Sequence, residues 1–191
     1  MLVLASSSPR RRALLEEAGF RFRVHVAAVD EEPAPGVAPS DLARDLALRK
    51  ARAAAASWTG GEVLFLAADT VVALPDGTLL GKPGDAGEAA AHLRALSGTT
   101  HSVLTGVCLL AVPSGAEELF VVETKVTMRV LREEEMKAYA SSGEGMDKAG
   151  GYALQETGDR FVTRIEGSRS NVVGLPMEEV AARLAARGVR P

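Results

Sequence analysis

Three consecutive arginines stand at the start of a predicted helix in the segment LASSSPRRRALL. Ser8 is suited to cap this helix and Pro9 to occupy its first position, so Arg10, Arg11 and Arg12 fall in the first turn. The amides and dipole of a helix make this end electropositive, which disfavours a cation there by roughly 0.3–1 kcal/mol. Serine hydroxyls, amides and guanidinium groups gathered in one turn would form a strong anion site. A solvated run of charge is the alternative interpretation.

Two of the chain's cations fall on the apolar stripes of predicted helices. Arg11 shares a stripe with Leu14 and Leu15, and Lys50 follows Leu46 by one helical turn. This spacing predicts that Arg11 leans toward the interior. It predicts that Lys50 either points into a cleft or extends along the surface to water.

Lysine is rare in this chain, with five residues against seventeen arginines. Lys50, Lys82 and Lys148 all occur on a helix face or in a loop, beside glycines or carboxylates. Their choice in an arginine-rich chain hints that a compact ammonium group is required at these positions.

A single carboxylate, Asp69, interrupts the apolar strand predicted for VLFLAADTVVAL. A buried carboxylate without a partner is costly, so Asp69 must lie at a strand end, bind a cation or accept strong hydrogen bonds. A carboxylate that caps the next turn is the structural alternative. Glu31 and Glu32, in the loop DEEPAPGVAP, could be further metal ligands or simply solvated acids. Cations that hold oxygens, with carboxylates that hold a divalent ion and orient water, are what phosphate chemistry requires.

The segment SGEGMDKAGGYALQ combines glycines, which allow close backbone approach to a ligand, with Asp147 and Lys148. Gln155 at its end carries both a donor and an acceptor, which suits the edge of a nucleobase. An ordinary polar residue of a strand is the alternative interpretation of Gln155.

Apolar patterning predicts the elements that must position these residues. The predicted strands are MLVLA, FRFRVHVAAV, VLFLAADTVVAL and two hairpins, the first from SVLTGVCLLAV and LFVVETKVTMRV and the second from YALQE and FVTRIEG. The predicted helices are the arginine helix ending at Gly19, SDLARDLALRKARAAAASW, DAGEAAAHLRALSG, REEEMKAYASSG and PMEEVAARLAARG. Alternating elements followed by paired strands predict an α/β fold with a mixed sheet.

Composition limits the class of protein. The 191 residues, with 47% hydrophobic residues and a net charge of −3, predict a single globular domain over residues 1–191, divided by a cleft into two lobes. The near-neutral charge argues against binding to nucleic acid polymers, and the patterning leads us to expect neither a signal peptide nor a membrane span. The only cysteine, Cys108, lies in an apolar run and predicts a core thiol, which fits a reducing cytoplasm.

Familiar phosphate-binding motifs are incomplete in this sequence. GTLLGKP has one residue too few between its glycines for a P-loop, and proline replaces the serine or threonine. RALLEEAGF is similar to the end of a Nudix box, but Ala13 replaces a required glutamate. A Nudix-type hydrolase stays open as an alternative, in which Glu16 and Glu17 would bind metal.

Seven segments in order resemble the Maf-like nucleoside triphosphate pyrophosphatases over almost the whole chain. They are LASSSPRRRALL, VDEEP, LALRKA, LAADTVV, GKP, MDKAGGYALQ and GSRSNVVGLP. The resemblance implies a fold shared with inosine-triphosphate pyrophosphatases: a long, twisted mixed sheet with helices and two lobes around a cleft. It also implies hydrolysis between the α and β phosphates, dependent on a divalent metal such as Mg²⁺ or Mn²⁺.

The resemblance assigns roles residue by residue. Asp69 matches the family's proton acceptor, and Glu32 matches an acidic position that, with Asp69, would bind the metal. The residues that match or are suited to substrate and phosphate binding are Ser6, Arg10, Arg11, Lys50, Lys82 and Lys148. Arg11, Thr70 and Gln155 match the positions that separate subfamilies, and here they look like the branch that acts on dTTP and UTP.

These assignments predict an enzyme that removes dTTP, UTP or modified pyrimidine nucleotides in the cytoplasm, as a homodimer by family resemblance. A nucleotide-binding regulator of cell division or growth, with incidental hydrolysis, is the alternative, because the same pocket could bind nucleotide without turnover.

Overall fold

Seven strands form one sheet among the residues that the computed structural model describes, which are 1–31, 36–154 and 156–191. They are β1 (Leu2–Leu4), β2 (Phe22–Val24), β3 (Val63–Ala73), β4 (Leu79–Leu80), β5 (Thr100–Val112), β6 (Glu117–Met128) and β7 (Val162–Glu166). The order across the sheet is β2-β1-β3-β5-β6-β7, and β4 pairs with β3. β1 runs parallel to β2 and β3, whereas β4 and β7 run antiparallel to their neighbours. The predicted mixed sheet is confirmed.

Five of the six helices in the described residues match the predicted helices, and α5 was not predicted. The six are α1 (Pro9–Glu17), α2 (Pro39–Ala56), α3 (Ala86–Leu96), α4 (Glu133–Ser142), α5 (Arg169–Val173) and α6 (Met177–Ala186). The hydroxyl of Ser8 caps α1, and Pro9 is its first residue, as predicted. Gly19 and Gly98 follow α1 and α3 with φ of +80° and +69°, a conformation that other residues adopt at a cost.

Two predicted strands are shorter than expected or missing. In FRFRVHVAAV only Phe22–Val24 forms a strand, because its partner β1 offers just three paired residues. The hairpin predicted from YALQE and FVTRIEG is wrong: residues 156–161 form a 3₁₀ helix, and β7 pairs with β6 instead. The amides of Ala153 and Thr157 are bound by side chains, which replaces the hydrogen bonds of a strand ladder.

The chain divides into two compact units. The first comprises residues 1–69, 105–122 and 174–191, and the second comprises residues 70–104 and 123–173. The single domain and the cleft between lobes stay predictions.

In the first unit, apolar residues cover both faces of the sheet. Alternate residues of β1 and β3, such as Leu4 and Leu66, pack with α1 and α6, and the intervening residues, such as Val3 and Phe65, pack with α2. Cys108 belongs to the α2 face, where burial raises the pKa of its thiol to about 12, so the predicted core thiol is confirmed. In the described ranges, no helix is both long and apolar enough to span a bilayer.

The second unit has its own core, which includes a buried polar pair. His101 is 1% exposed, and its Nε2 lies 2.8 Å from the hydroxyl of Tyr152. Burial lowers the pKa of His101 from 6.5 to about 4, so the folded protein holds this imidazole neutral.

Acidification is expected to destabilise the protein through His101. Because the folded pKa is about 4 against 6.5 in the unfolded chain, the unfolded state binds the proton first as the pH falls. The contribution of the neutral imidazole to the free energy of unfolding is complete above about pH 6.5 and decreases as the pH falls to about 4. Between pH 7.5 and pH 5 the free energy of unfolding is expected to fall by about 2 kcal/mol. Urea unfolding at both pH values measures it. His101→Gln should flatten the dependence, and an equally steep profile in that variant would contradict the assignment.

Candidate active site

Two parallel strands carry Ser6 and Asp69 to the same edge of the sheet in the first unit. Leu4 at the end of β1 is paired with Leu66 of β3, and the amide of Ala5 donates to the carbonyl of Leu66 at 2.8 Å. Ser6 lies two residues beyond Leu4, and Asp69 lies three beyond Leu66. Because the strands run in the same direction, the loop after β1 and Asp69 are neighbours at the carboxyl end of the sheet, where open α/β folds commonly bind ligands.

The first turn of α1 places Arg11 in the interior, as its apolar stripe predicted. Arg11 is 9% exposed, its Nε donates to the carbonyl of Gly174 at 2.8 Å, and its Nη1 donates to Ser6 Oγ at 3.2 Å. Ser6 is itself buried, with 7% exposed. These bonds fix the plane of the guanidinium group and hold it beside the serine loop.

The pKa of Arg11 shows which charges surround it. Burial lowers the pKa, the Asp69 carboxylate raises it, the neighbouring Arg10 lowers it and Glu31 raises it. Arg10, Arg11, Glu31 and Asp69 therefore share one electrostatic environment, and the arginines are not a solvated run. Arg12 differs, because it pairs with Glu16 at 2.7 Å with its side chain 62% exposed.

Lys50 of α2 joins two carboxylates. Its Nζ lies 2.5 Å from Asp69 Oδ1 and 2.7 Å from Glu31 Oε1. Asp69 lies within β3 and is only 8% exposed. The ammonium group of Lys50 therefore neutralises a buried carboxylate, which would be costly to leave without a partner. Of the possibilities left open for Asp69, binding to a cation is confirmed, and Lys50 points inward instead of extending to water.

Glycine in β5 allows α2 to approach the sheet. A Cβ atom added at Gly106 would lie 2.1 Å from the carbonyl oxygen of Ala43 and 2.7 Å from the amide nitrogen of Arg44. Both of these atoms belong to the backbone of α2, so no side-chain rotation can relieve the contact. The close packing sets the distance between Lys50, further along α2, and Asp69 on the sheet.

Gly106→Ala is expected to move α2 away from the sheet. Overpacking of this kind lowers the free energy of unfolding by about 1–3 kcal/mol. Chemical denaturation checks that loss, and the movement would also separate Lys50 from Asp69. Gly61→Ala is the control for loss of a glycine, since nothing lies within 4 Å of a Cβ at Gly61 and its φ lies outside the left-handed region. A Gly106→Ala variant with unchanged stability would contradict the packing argument.

In the second unit, two glycine-containing segments that are distant in the chain lie side by side. The amide of Gly150 donates to the carbonyl of Gly81 at 3.1 Å, which joins the GKP and MDKAGGY segments. Lys82 is exposed beside Gly81. Lys148 is 16% exposed, and its Nζ binds Asp147 Oδ1 and the carbonyl of Glu144, both at 2.5 Å.

Ser6, Arg10, Arg11, Lys50 and Asp69 all belong to the first unit, while Thr70, Lys82 and Lys148 belong to the second. Thr70 is half-buried and follows Asp69 in β3. Glu32 and Gln155, predicted as a metal ligand and a specificity residue, lie outside the described residues.

The donor atoms suit a divalent cation shared with a ligand. Across residues 1–31, 36–154 and 156–191, no group of three or more His, Cys, Asp or Glu is arranged to hold a metal. Glu31 and Asp69 nevertheless both contact one ammonium group. One or two carboxylates are sufficient for Mg²⁺, which retains several waters and commonly binds phosphate oxygens as well.

Sequence reasoning missed two contacts of this arrangement. The carbonyl of Gly174 fixes Arg11 from a distance of 163 residues, and the only sequence signal for it is its place in GSRSNVVGLP. Glu31, considered only alongside Glu32, contacts Lys50 directly. Neither contact has a local pattern, because both depend on how the chain folds back on itself.

Gathered cations at a helix N-terminus, beside a buried aspartate, suit an anionic ligand and proton transfer. Comparison with known proteins agrees with this chemistry. Two similar proteins, each named dTTP/UTP pyrophosphatase, are from Myxococcus xanthus, at 51% identity over 99% of this chain and 93% of that protein, and Anaeromyxobacter dehalogenans, at 50% identity over 98% and 94%. A third protein of the same name, from Geobacter sp., is 47% identical over 98% of this chain and 95% of that protein. The family model described as Maf-like protein matches residues 1–187, so the chain belongs to the Maf-like protein family.

Proposed function

We propose that this protein hydrolyses dTTP and UTP, and related modified pyrimidine nucleotides, to the nucleoside monophosphate and pyrophosphate. The observation that carries the proposal is the arrangement of the first unit, in which buried Arg11 and the Lys50–Asp69 pair share one electrostatic environment. The names of the relatives support the same substrate class.

The cations would bind the triphosphate. Arg10, Arg11 and the amides at the start of α1 present positive charge to phosphate oxygens, and Ser6 adds a hydroxyl donor. Arg11 is already desolvated and held by Gly174 and Ser6, so little further ordering accompanies binding. Lys82 and Lys148 of the second unit stay assigned to substrate binding.

Asp69 would act as the general base. A water proton passes to its carboxylate while the water oxygen forms a bond to the α phosphorus, and the bond from that phosphorus to the bridging oxygen breaks. Pyrophosphate leaves with the electron pair of that bond. Lys50 orients Asp69, because its ammonium group binds Oδ1; we assign Oδ2 to the water.

A divalent cation, Mg²⁺ or Mn²⁺, is part of the proposal, with Asp69, Glu31 and Glu32 as the acids that would hold it. When bound, such an ion neutralises phosphate charge and polarises the phosphoryl group. Chelation by EDTA should therefore stop turnover, and Mg²⁺ or Mn²⁺ should restore it.

Product analysis tests the function directly. The purified protein is incubated with Mg²⁺ or Mn²⁺ and each of dTTP, UTP, CTP, ATP and GTP, and nucleoside monophosphate and pyrophosphate are quantified. Equal amounts of both products, with dTTP and UTP preferred, are expected. In ¹⁸O-labelled water, attack at the α phosphorus places the label in the monophosphate.

Other products would contradict the proposal. Release of single orthophosphate would indicate another cleavage position. Tight nucleotide binding without turnover would favour the regulator of cell division or growth. Turnover that is lost in Glu16→Gln and Glu17→Gln would favour the Nudix-type alternative.

Base choice is assigned to Arg11, Thr70 and Gln155. A site that hydrogen-bonds a base edge rejects other bases because its polar groups would be left unpaired. Gln155→Glu is the informative substitution, since it replaces the amide donor with an acceptor. An unchanged preference among dTTP, UTP and GTP would remove Gln155 from base recognition.

Assembly and location complete the proposal. We infer a homodimer in the cytoplasm, supported by family resemblance and by a buried, unpaired thiol that suits a reducing compartment. Light scattering at micromolar concentration tests the assembly, and a mass of 20.0 kDa, that of one chain, would contradict it.

A further inference from the structure

A chain of hydrogen bonds holds both sides of position 155 in the second unit. On one side, the amide of Ala153 donates to the Tyr139 hydroxyl at 2.9 Å, and this hydroxyl donates to Glu144 Oε1 at 3.0 Å. On the other side, the amides of Thr157 and Gly158 donate to the same Oε1, each at 3.1 Å. The Thr157 hydroxyl donates to Glu144 Oε2. One carboxylate thus holds the backbone at Ala153, through the Tyr139 hydroxyl, and at Thr157 and Gly158 directly.

Close packing surrounds these hydrogen bonds. A Cβ atom at Gly158 would lie 2.3 Å from the carbonyl oxygen of Ala153, so the two sides of the segment approach at backbone contact distance. Tyr139 is 2% exposed, and its ring packs edge-on against Phe161 with centroids 5.1 Å apart. Burial raises the pKa of Glu144, but the hydrogen bonds outweigh it and the pKa lies below its ordinary value.

Glu144 also contacts a residue assigned to phosphate binding. Its backbone carbonyl accepts from Lys148 Nζ at 2.5 Å. A further bond reaches the segment from α5, where Arg169 Nη2 donates to the carbonyl of Leu154 at 3.1 Å and to Asp159 Oδ1 at 2.9 Å. The residues before and after position 155 are therefore held by groups that pack independently of a bound nucleotide.

We propose that Glu144 is a positioning residue for base selection, acting through the backbone on both sides of position 155. The inference rests on the proposed function and on the assignment of base recognition to that position. Discrimination between bases requires polar groups held in place, because a mobile segment can adjust to pair with the wrong base. Glu144 supplies that restraint without touching the nucleotide.

Steady-state kinetics with UTP and GTP on graded variants test the proposal. Glu144→Ala removes the acceptor, and the ratio of kcat/KM for UTP over GTP is expected to fall about ten-fold or more. Glu144→Gln keeps one neutral acceptor oxygen and should give a smaller fall. For UTP, the rise in KM should exceed the change in kcat, since the chemistry at Asp69 is not altered.

Two further variants keep the test decisive. Tyr139→Phe removes only the hydroxyl and keeps the ring, so it should reduce the same ratio even if Glu144→Ala fails to fold. Glu133→Gln is the matched control, because its carboxylate lies on α4, the helix that carries Tyr139, but pairs with Arg94 at 2.6 Å; its ratio should equal that of the wild type.

The outcomes separate the inference from the proposed function. An unchanged ratio in Glu144→Gln and Tyr139→Phe, with a lowered Tm, would mean that the hydrogen bonds serve only stability and would overturn the inference alone. A wild-type protein that releases no pyrophosphate, or that shows no base preference, would overturn the inference together with the proposed function.

Discussion

Asp69→Asn is expected to lower kcat for UTP hydrolysis by about 10³-fold or more. General-base catalysis contributes about 10²–10⁴-fold, and an amide cannot accept the water proton at neutral pH. Asparagine has nearly the same shape as aspartate, and its carbonyl oxygen can still accept a hydrogen bond from Lys50 Nζ, now 2.5 Å from Oδ1. The fold should therefore be kept, and single-turnover kinetics separates the chemical step from binding.

Asp76→Asn is the matched control for this substitution. Asp76 is exposed in the turn after β3, where its carboxylate accepts from the Thr78 amide at 2.9 Å. Its kcat should equal that of the wild type. An Asp69→Asn enzyme that keeps more than a tenth of the wild-type kcat would show that another group accepts the proton.

Of the substitutions proposed for this protein, Lys50→Met is expected to lower the free energy of unfolding most, by about 3 kcal/mol. Removing one partner of a buried ion pair leaves an uncompensated charge, and Asp69 is only 8% exposed. Glu31 loses the same partner, which contacts it at 2.7 Å. Methionine preserves the length and most of the volume of the side chain, so the change isolates the ammonium group. Chemical denaturation at neutral pH measures the loss, and hydrolysis should fall with it.

A double-mutant cycle distinguishes charge from packing. In Lys50→Met with Asp69→Asn, neither charge remains, so stability should recover by about 1 kcal/mol or more relative to Lys50→Met alone. Lys137→Met is the control, since Lys137 is 70% exposed and lies 3.7 Å from Glu133; surface pairs of this kind contribute about 0–1 kcal/mol. Additive effects of the two substitutions would contradict an energetic coupling between Lys50 and Asp69.

Local patterns predicted most helices of this protein. Capping by Ser8 and Pro9 defines the start of α1, and the glycines at positions 19 and 98 follow the ends of α1 and α3. These signals are local because a cap or a left-handed residue involves only its neighbours in the chain. The failed hairpin shows the limit of such patterns. Residues 152–154 have strand-like side chains, yet Tyr139 and Glu144 take the amides of Ala153 and Thr157.

The sequence alone predicted that two charged side chains are buried. Arg11 on an apolar stripe and Asp69 in an apolar strand had to lie inside, since each interrupts a periodic pattern whose other members form the core. Only the tertiary structure decided their partners. The parallel register of β1 and β3 sets Ser6 beside Asp69, and the contact at Gly106 brings Lys50 to that aspartate. Such pairings join residues far apart in the chain, and their geometry follows from strand register and helix packing, which periodicity does not specify.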